Sequence, residues 1–127
     1  MKYPFDPALS GNLTPRPFVP VRLEGLEFAV PALVDSGAVG NRFDATIGEL
    51  AGLDLSLGCA EHVKIGGAMM FGHALDVSLT LGKHSWTAEI CFLEGWQVGY
   101  QVLGLYGFFD HFNVRFRAAS RELLVLP

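Results

Sequence analysis

From Val19 onward apolar side chains fall on every second residue, and that period of two constrains the fold more than any other feature of the chain. Val19, Val21 and Leu23 alternate with Pro20, Arg22 and Glu24, and after Gly25 the residues Leu26, Phe28 and Val30 alternate with Glu27 and Ala29. Successive side chains of a strand point to opposite faces, so this period lays one apolar face on a core. The pattern predicts a β-hairpin turning at Glu24-Gly25, with its ladder broken at Pro31. Ala32-Leu33-Val34 follows as an unbroken apolar run of the kind covered on both faces. The run ends at Asp35-Ser36-Gly37.

Beyond Gly40, Asp44 is placed to cap a short helix in which Ile47, Leu50 and Ala51 share a face and which Gly52 stops. Strand patterns then return over Cys59 to Ile65, Leu75 to Leu81 and Trp86 to Leu93. Gly66-Gly67 with Gly72, Gly82-Lys83 and Glu94-Gly95 separate them. The last part reads as Gln101-Val102-Leu103-Gly104, a short helix over Phe108 to Phe112, a strand from Asn113 to Phe116 and a closing strand from Leu123 to Leu126. The two halves repeat one order of events: hairpin, apolar strand ending in glycine, short helix. Ala32-Leu33-Val34-Asp35-Ser36-Gly37 corresponds to Gln101-Val102-Leu103-Gly104. Residues 1–17, with four prolines and a Ser10-Gly11-Asn12 cluster, read as an N-terminal arm or tail. Residues 18–127 read as one domain.

The chain has 127 residues, half of them apolar, with 15 glycines and 7 prolines, which suits one globular core with many tight turns. A net charge of -4 without any basic run gives no footprint for a nucleic acid backbone. No stretch has the length of a membrane span or the form of a secretory leader, so a soluble, cytoplasmic protein is expected. Cys59 and Cys91 are expected to be buried, reduced thiols. His62, His73 and His84 recur every eleven residues, but on separate strands, so no metal and no cofactor is assigned. Trp86, Trp96 and the phenylalanines read as core.

A strand ending in Asp-Ser-Gly can carry hydrolytic chemistry. Two carboxylates held about 3 Å apart cannot both ionise and so share one proton. One then acts as base on a water while the other donates to the scissile carbonyl. Gly37 allows a sharp turn, and the Ser36 hydroxyl can hold the loop. Alone, the tripeptide reads equally as a plain Asx turn. With the apolar run before it, Ala38 after it, the glycine-bearing hairpin and the later Val102-Leu103-Gly104, the chain from about Phe18 to Leu126 resembles the retropepsin-like aspartic proteases.

That resemblance implies an all-β fold, a closed acid-protease barrel lobe with one or two short helices, and an endopeptidase whose active site forms between two copies. Asp35 would be catalytic, Ser36 would support the loop through hydrogen bonds crossing to the other subunit, and Gly37 would line the substrate strand. Ala38 and Gly104 would pack beside the loop. The hairpin from about Val63 to His73 would be a flap, with Ile65, Gly66, Gly67, Ala68 and Met69 over the substrate and Met70 and Phe71 adding apolar cover. No second Asp-[Ser/Thr]-Gly occurs, so the partner carboxylate must come from another chain. In the family the C-terminal strand, here Glu122 to Pro127, often pairs across that interface. Val39 stands where many relatives have a polar residue, Leu105-Tyr106 replaces the Arg-Asp or Arg-Asn of viral members, and Gly107 is extra. The expected partners are a second copy and a peptide or protein substrate with apolar side chains near the cut. A non-catalytic homodimer holding a peptide or protein partner, and a small barrel holding an apolar ligand, are the competing readings.

Overall fold

A computed structural model describes residues 1–7 and 14–127, so the Ser10-Gly11-Asn12 cluster lies outside the described residues. The chain runs through β1 (Lys2–Pro4), β2 (Phe18–Leu23), β3 (Val30–Val34), β4 (Asn41–Asp44), α1 (Ala45–Leu50), β5 (Cys59–Ile65), β6 (Ala68–Leu81), β7 (His84–Leu93), β8 (Gln101–Leu103), β9 (Asn113–Arg117) and β10 (Glu122–Leu126). Strands pair in the order β2-β3-β8-β4-β7-β6, and a further pairing of β2 with β6 closes them into a six-stranded barrel. β5 continues outward from β6 as the second arm of a long hairpin. β1, β10 and β9 form a separate three-stranded sheet with β10 in the middle.

The alternation read from the sequence fills this barrel. Val19, Val21, Leu23, Val30, Ala32, Val34, Phe43, Val77, Leu79, Leu81, Ile90, Phe92 and Leu103 are buried in one core. Phe43 and Phe92 meet edge to face at 6.2 Å, a geometry that adds to the area they bury. β3 is paired on both sides, antiparallel with β2 and parallel with β8, which explains its continuous apolar run. Its partner in β8 is the segment that repeats it, in the same register: Ala32 beside Gln101, Leu33 beside Val102, Val34 beside Leu103.

The expected hairpin forms, but its connection spans residues 24–29 instead of turning tightly at Glu24-Gly25. Leu26 is buried and Phe28 is 52% exposed. Pro31 does not break the ladder. It lies in β3 directly opposite Pro20. The Val34 amide donates to the Pro17 carbonyl at 2.9 Å, and hydrogen-bonded pairs alternate along an antiparallel ladder. The Pro20–Pro31 pair therefore falls at a site where neither N–H would face its partner.

Asp44 caps α1 as expected, accepting from the Thr46 amide at 3.0 Å. The helix buries Ala45 and Gly48, however, and Leu50 is exposed. With only six residues, its short buried face is set by what fits against Phe92, near which a Cβ on Gly48 would come within 2.8 Å. The helix expected over Phe108 to Phe112 is a series of turns, in which the Phe109 amide reaches back to Gly104 and the Phe112 amide to Phe108. Edge contacts of Trp86 with Phe108 and Phe112, at 5.9 and 4.9 Å, pack this segment, which makes too few consecutive helical hydrogen bonds to form a helix. Among the described residues no helix is long and apolar enough to cross a membrane.

Because Phe92 is fully buried against Phe43, Phe92→Ala is expected to lower unfolding free energy by about 3–5 kcal/mol in urea titration. Phe28→Ala, at an exposed position, should change it by less than about 0.5 kcal/mol.

Candidate active site

Asp35 follows β3 at the point where the chain leaves the barrel. Its backbone amide donates to the Leu103 carbonyl at 3.0 Å, so the end of β3 stays tied to β8. The chain then reverses: the Ala38 amide donates to the Asp35 carbonyl at 3.1 Å, and the Gly37 amide to the Asp35 Oδ1 at 2.8 Å. The second bond is an Asx turn, and it fixes the carboxylate by one oxygen while the other has no hydrogen-bond partner among the described residues. Asp35 is half-buried, Ser36 and Gly37 are exposed and Ala38 is buried. Among the described residues the Ser36 hydroxyl has no hydrogen-bond partner in its own chain.

Gly104 is pressed against this loop. A Cβ at Gly104 would stand 2.5 Å from the Gly40 carbonyl oxygen and 2.8 Å from that of Ala38, so only glycine fits. Residues after it run alongside the loop, the Leu105 amide donating to Ala38 at 2.9 Å and the Tyr106 amide to Val39 at 2.8 Å. The structure thus brings together Asp35, Ser36, Gly37, Ala38 and Gly104.

Asn41 joins these elements and was not singled out from the sequence. It is buried, accepts from the Gly104 amide through Oδ1 at 3.1 Å and donates from Nδ2 to the Glu89 carbonyl at 3.3 Å. Its signal was available: Asn41 alternates with Phe43 and so points into the core, where a polar side chain must find partners. Gly107, extra by comparison with the family, makes room for Asn41. Its φ is +104°, and a Cβ there would lie 2.4 Å from the Asn41 Nδ2.

Strand alternation gives the direction in which Asp35 faces. Ala32 and Val34 point into the core, so Leu33 and Asp35 face outward. Leu33 is level with Val102, Val102 with Arg42, and Arg42 with Cys91. Asp35, Val102, Arg42 and Cys91 therefore share the outer face. Beside them a cavity of about 260 Å³ is lined by Val39, Gly40, Arg42, Glu61, Val63, Glu89, Cys91 and Tyr106. Glu61 and Val63 belong to the hairpin of β5 and β6, whose two-residue turn is Gly66-Gly67, at φ +56° and +83°. Such positive angles at both positions suit the right-handed twist of a hairpin and favour glycine.

The hairpin residues expected over the site divide between its faces. Ile65 pairs with Ala68 and Val63 with Met70, and these lie on the face of Val63 and Glu61 that lines the cavity. Met69 and Phe71 are on the opposite face, because the period of two turns them away. Phe71 there packs edge-on between His62 and His73, at 5.2 Å from each.

Cys59 is exposed, contrary to expectation, because β5 is the outer strand of the hairpin, whereas Cys91 is buried. Both are level with Ala74, which lies between them. Two strand spacings of about 4.8 Å leave the pair too far apart for a disulfide. Burial, and the Glu61 carboxylate beside it, push the Cys91 thiol up to about 12.

The sequence matches no family model and no curated protein. Solved structures do match. The retropepsin-like aspartic protease of Rickettsia conorii superposes with a TM-score of 0.65 at 13% identity, over 98% of this chain and 90% of that one. The retroviral protease-like domain of Ddi1 from Leishmania major gives 0.59 at 16% identity, over 88% of this chain and 94% of the other. The chain has the retropepsin-like fold. In this retropepsin-like lobe Asp35 stands at the end of a barrel strand, beside a glycine that crosses close by.

Two outcomes follow. Asn41→Ala is expected to cost about 1–3 kcal/mol in urea unfolding, since the buried Gly104 amide loses its acceptor. In native protein at pH 8, iodoacetamide should modify Cys59 and leave Cys91 intact by mass spectrometry, because a thiol with its pKa near 12 stays protonated and unreactive.

Proposed function

We propose that the protein is an aspartic endopeptidase that works as a homodimer, each copy supplying one Asp35 carboxylate to a shared site. The observation that carries this reading is the held, outward-facing Asp35, fixed at one oxygen by the Gly37 amide and backed by Gly104. Two such loops brought together about a two-fold axis would place like charges side by side, and the pair would retain one proton. The ionised member then takes a proton from a water as it attacks the peptide carbonyl, and the protonated member donates to the carbonyl oxygen. As the C–N bond breaks, the first carboxyl gives its proton to the leaving amine and the second carboxylate takes one from a hydroxyl of the tetrahedral intermediate, so the pair again holds one proton. A substrate strand would lie between the Asp35 loops and the hairpins, with Ser36 free to bond across the interface.

The other aspartates support the need for a second copy. Asp44 and Asp54 cap helical turns, and Asp110 accepts from the Gly107 amide at 2.8 Å. Asp76 is exposed on β6, level with Glu89. None of these stands with Asp35.

The surface around the loop suits an apolar contact. Val39 is 71% exposed and Leu105 48% exposed, and the backbone bonds between 38–39 and 105–106 hold them in neighbouring segments. β10, by contrast, is occupied on both sides within the chain. A partner's strand cannot add to it in this arrangement, so the dimer is read as built on the loops and the outer edges of the small sheet.

Asp35→Asn is expected to abolish cleavage of unfolded casein at mildly acidic pH, measured by fluorescence release, without lowering the unfolding midpoint. Cleavage by that variant at the wild-type rate would refute the assignment. Val39→Asp with Leu105→Asp should shift sedimentation from dimer to monomer and remove activity with it. A fully active monomer would exclude the shared site.

A further inference from the structure

We propose that the cavity between the Asp35 loop and the hairpin is a specificity subsite that takes a basic side chain, Lys or Arg, of the substrate peptide. This rests on the endopeptidase reading for its place beside the cut and departs from the apolar preference that resemblance implies. The cavity lies on the outer face shared by Asp35, Val102, Arg42 and Cys91, and Val39 and Gly40 of the Asp35 loop form part of its wall. A peptide crossing Asp35 under the hairpin would therefore direct a side chain into it.

The chemistry of the walls is charged. Glu61 enters from the hairpin, Glu89 from β7 and Arg42 from β4. Among the described residues no close ion pair joins Arg42 to either glutamate, so both carboxylates line the cavity without a bound guanidinium. Two carboxylates against one guanidinium leave it negative. The Cys91 thiol on the cavity wall is pushed up chiefly by burial, and the Glu61 carboxylate beside it adds to the rise. A second cavity of about 220 Å³ shares Glu89 and Tyr106 with the first and adds Asp76, Asp110 and His111. The adjoining cavity thus adds two carboxylates, of which Asp110 lies 3.8 Å from His111. A Leu side chain placed in the first would strip water from charged groups without replacing their hydrogen bonds. A Glu would meet two like charges. A Lys or Arg would satisfy the carboxylates with charge-assisted hydrogen bonds.

The test separates binding from cleavage. Full-length Asp35→Asn protein would be titrated, by fluorescence anisotropy, with fluorescein-labelled peptides of one apolar frame carrying a single Lys, Leu or Glu at each position in turn. At one position the Lys peptide is expected to bind on the order of tenfold tighter than its Leu and Glu counterparts. The advantage should vanish in Asp35→Asn/Glu61→Gln/Glu89→Gln. A second readout needs no change to the cavity, because added sodium chloride should erode the Lys advantage in the Asp35→Asn protein. Equal binding of the three peptides, preference for Leu or Glu, absence of binding, or a Lys advantage untouched by both salt and the double Gln change would overturn the subsite. Wild-type protein incubated with the same peptides tests the other reading. Binding preference without cleavage would refute the endopeptidase and keep the subsite, and cleavage indifferent to Lys would do the reverse.

Discussion

The approach of Gly104 to the carbonyls of Ala38 and Gly40 is the contact on which the rest of the site depends. At that separation a Cβ would overlap two carbonyl oxygens, so any other residue would push β8 away from the loop that follows β3. The gap would release Asp35, whose amide is held by the Leu103 carbonyl one residue before Gly104. Close approach also buries a backbone N–H that no strand partner reaches. Asn41 supplies the acceptor, and Gly107 leaves the room Asn41 needs. Two glycines and one asparagine therefore act as a single packing unit, and the geometry of Asp35 is its outward expression.

A consequence is that rigidity and exposure are separated along very few residues. Ala38 is buried and bonded on both sides, while Ser36, Gly37 and Val39 stand open to solvent. A lone acid group held this firmly at a surface has little reason to exist for stability, since an exposed carboxylate contributes little by itself. The remaining aspartates show the contrast, because Asp44, Asp54 and Asp110 each satisfy backbone donors at a turn or cap. Asp35 also accepts from its own turn, but it does so on the face that carries Val102, Arg42 and the cavity.

What could be read in the letters was whatever short-range periodicity dictates. The alternation at Val19 to Leu23 gave β2, the apolar run gave β3, and the likeness of 32–34 to 101–103 anticipated segments that prove to be parallel neighbours in matching register. Local rules failed where tertiary packing decides. Pro31 is tolerated because of the phase of a hydrogen-bond ladder, which sequence does not display. Phe108 to Phe112 looked helical by composition but packs against Trp86 as a series of turns. Met69 looked like cover for the site because it is apolar and near a glycine turn, yet its side depends on hairpin register, and a shift of one residue would have reversed it. Arg42, Glu61 and Glu89 are far apart in the chain and unremarkable singly. Only the barrel's closure sets them around one cavity.

The small sheet limits how two lobes can meet. With β1 and β9 on either side of β10, the last strand has no free edge, and the ladder that could otherwise recruit a neighbour is already used. The proposed dimer would then draw on side chains more than on backbone pairing. Side-chain contacts are favourable in proportion to the apolar area they cover, and the exposed apolar side chains beside the Asp35 loop are Val39 and Leu105. In the proposed dimer an apolar contact there would exclude water from around the two Asp35 carboxyls, strengthening each hydrogen bond made to them and favouring a single shared proton.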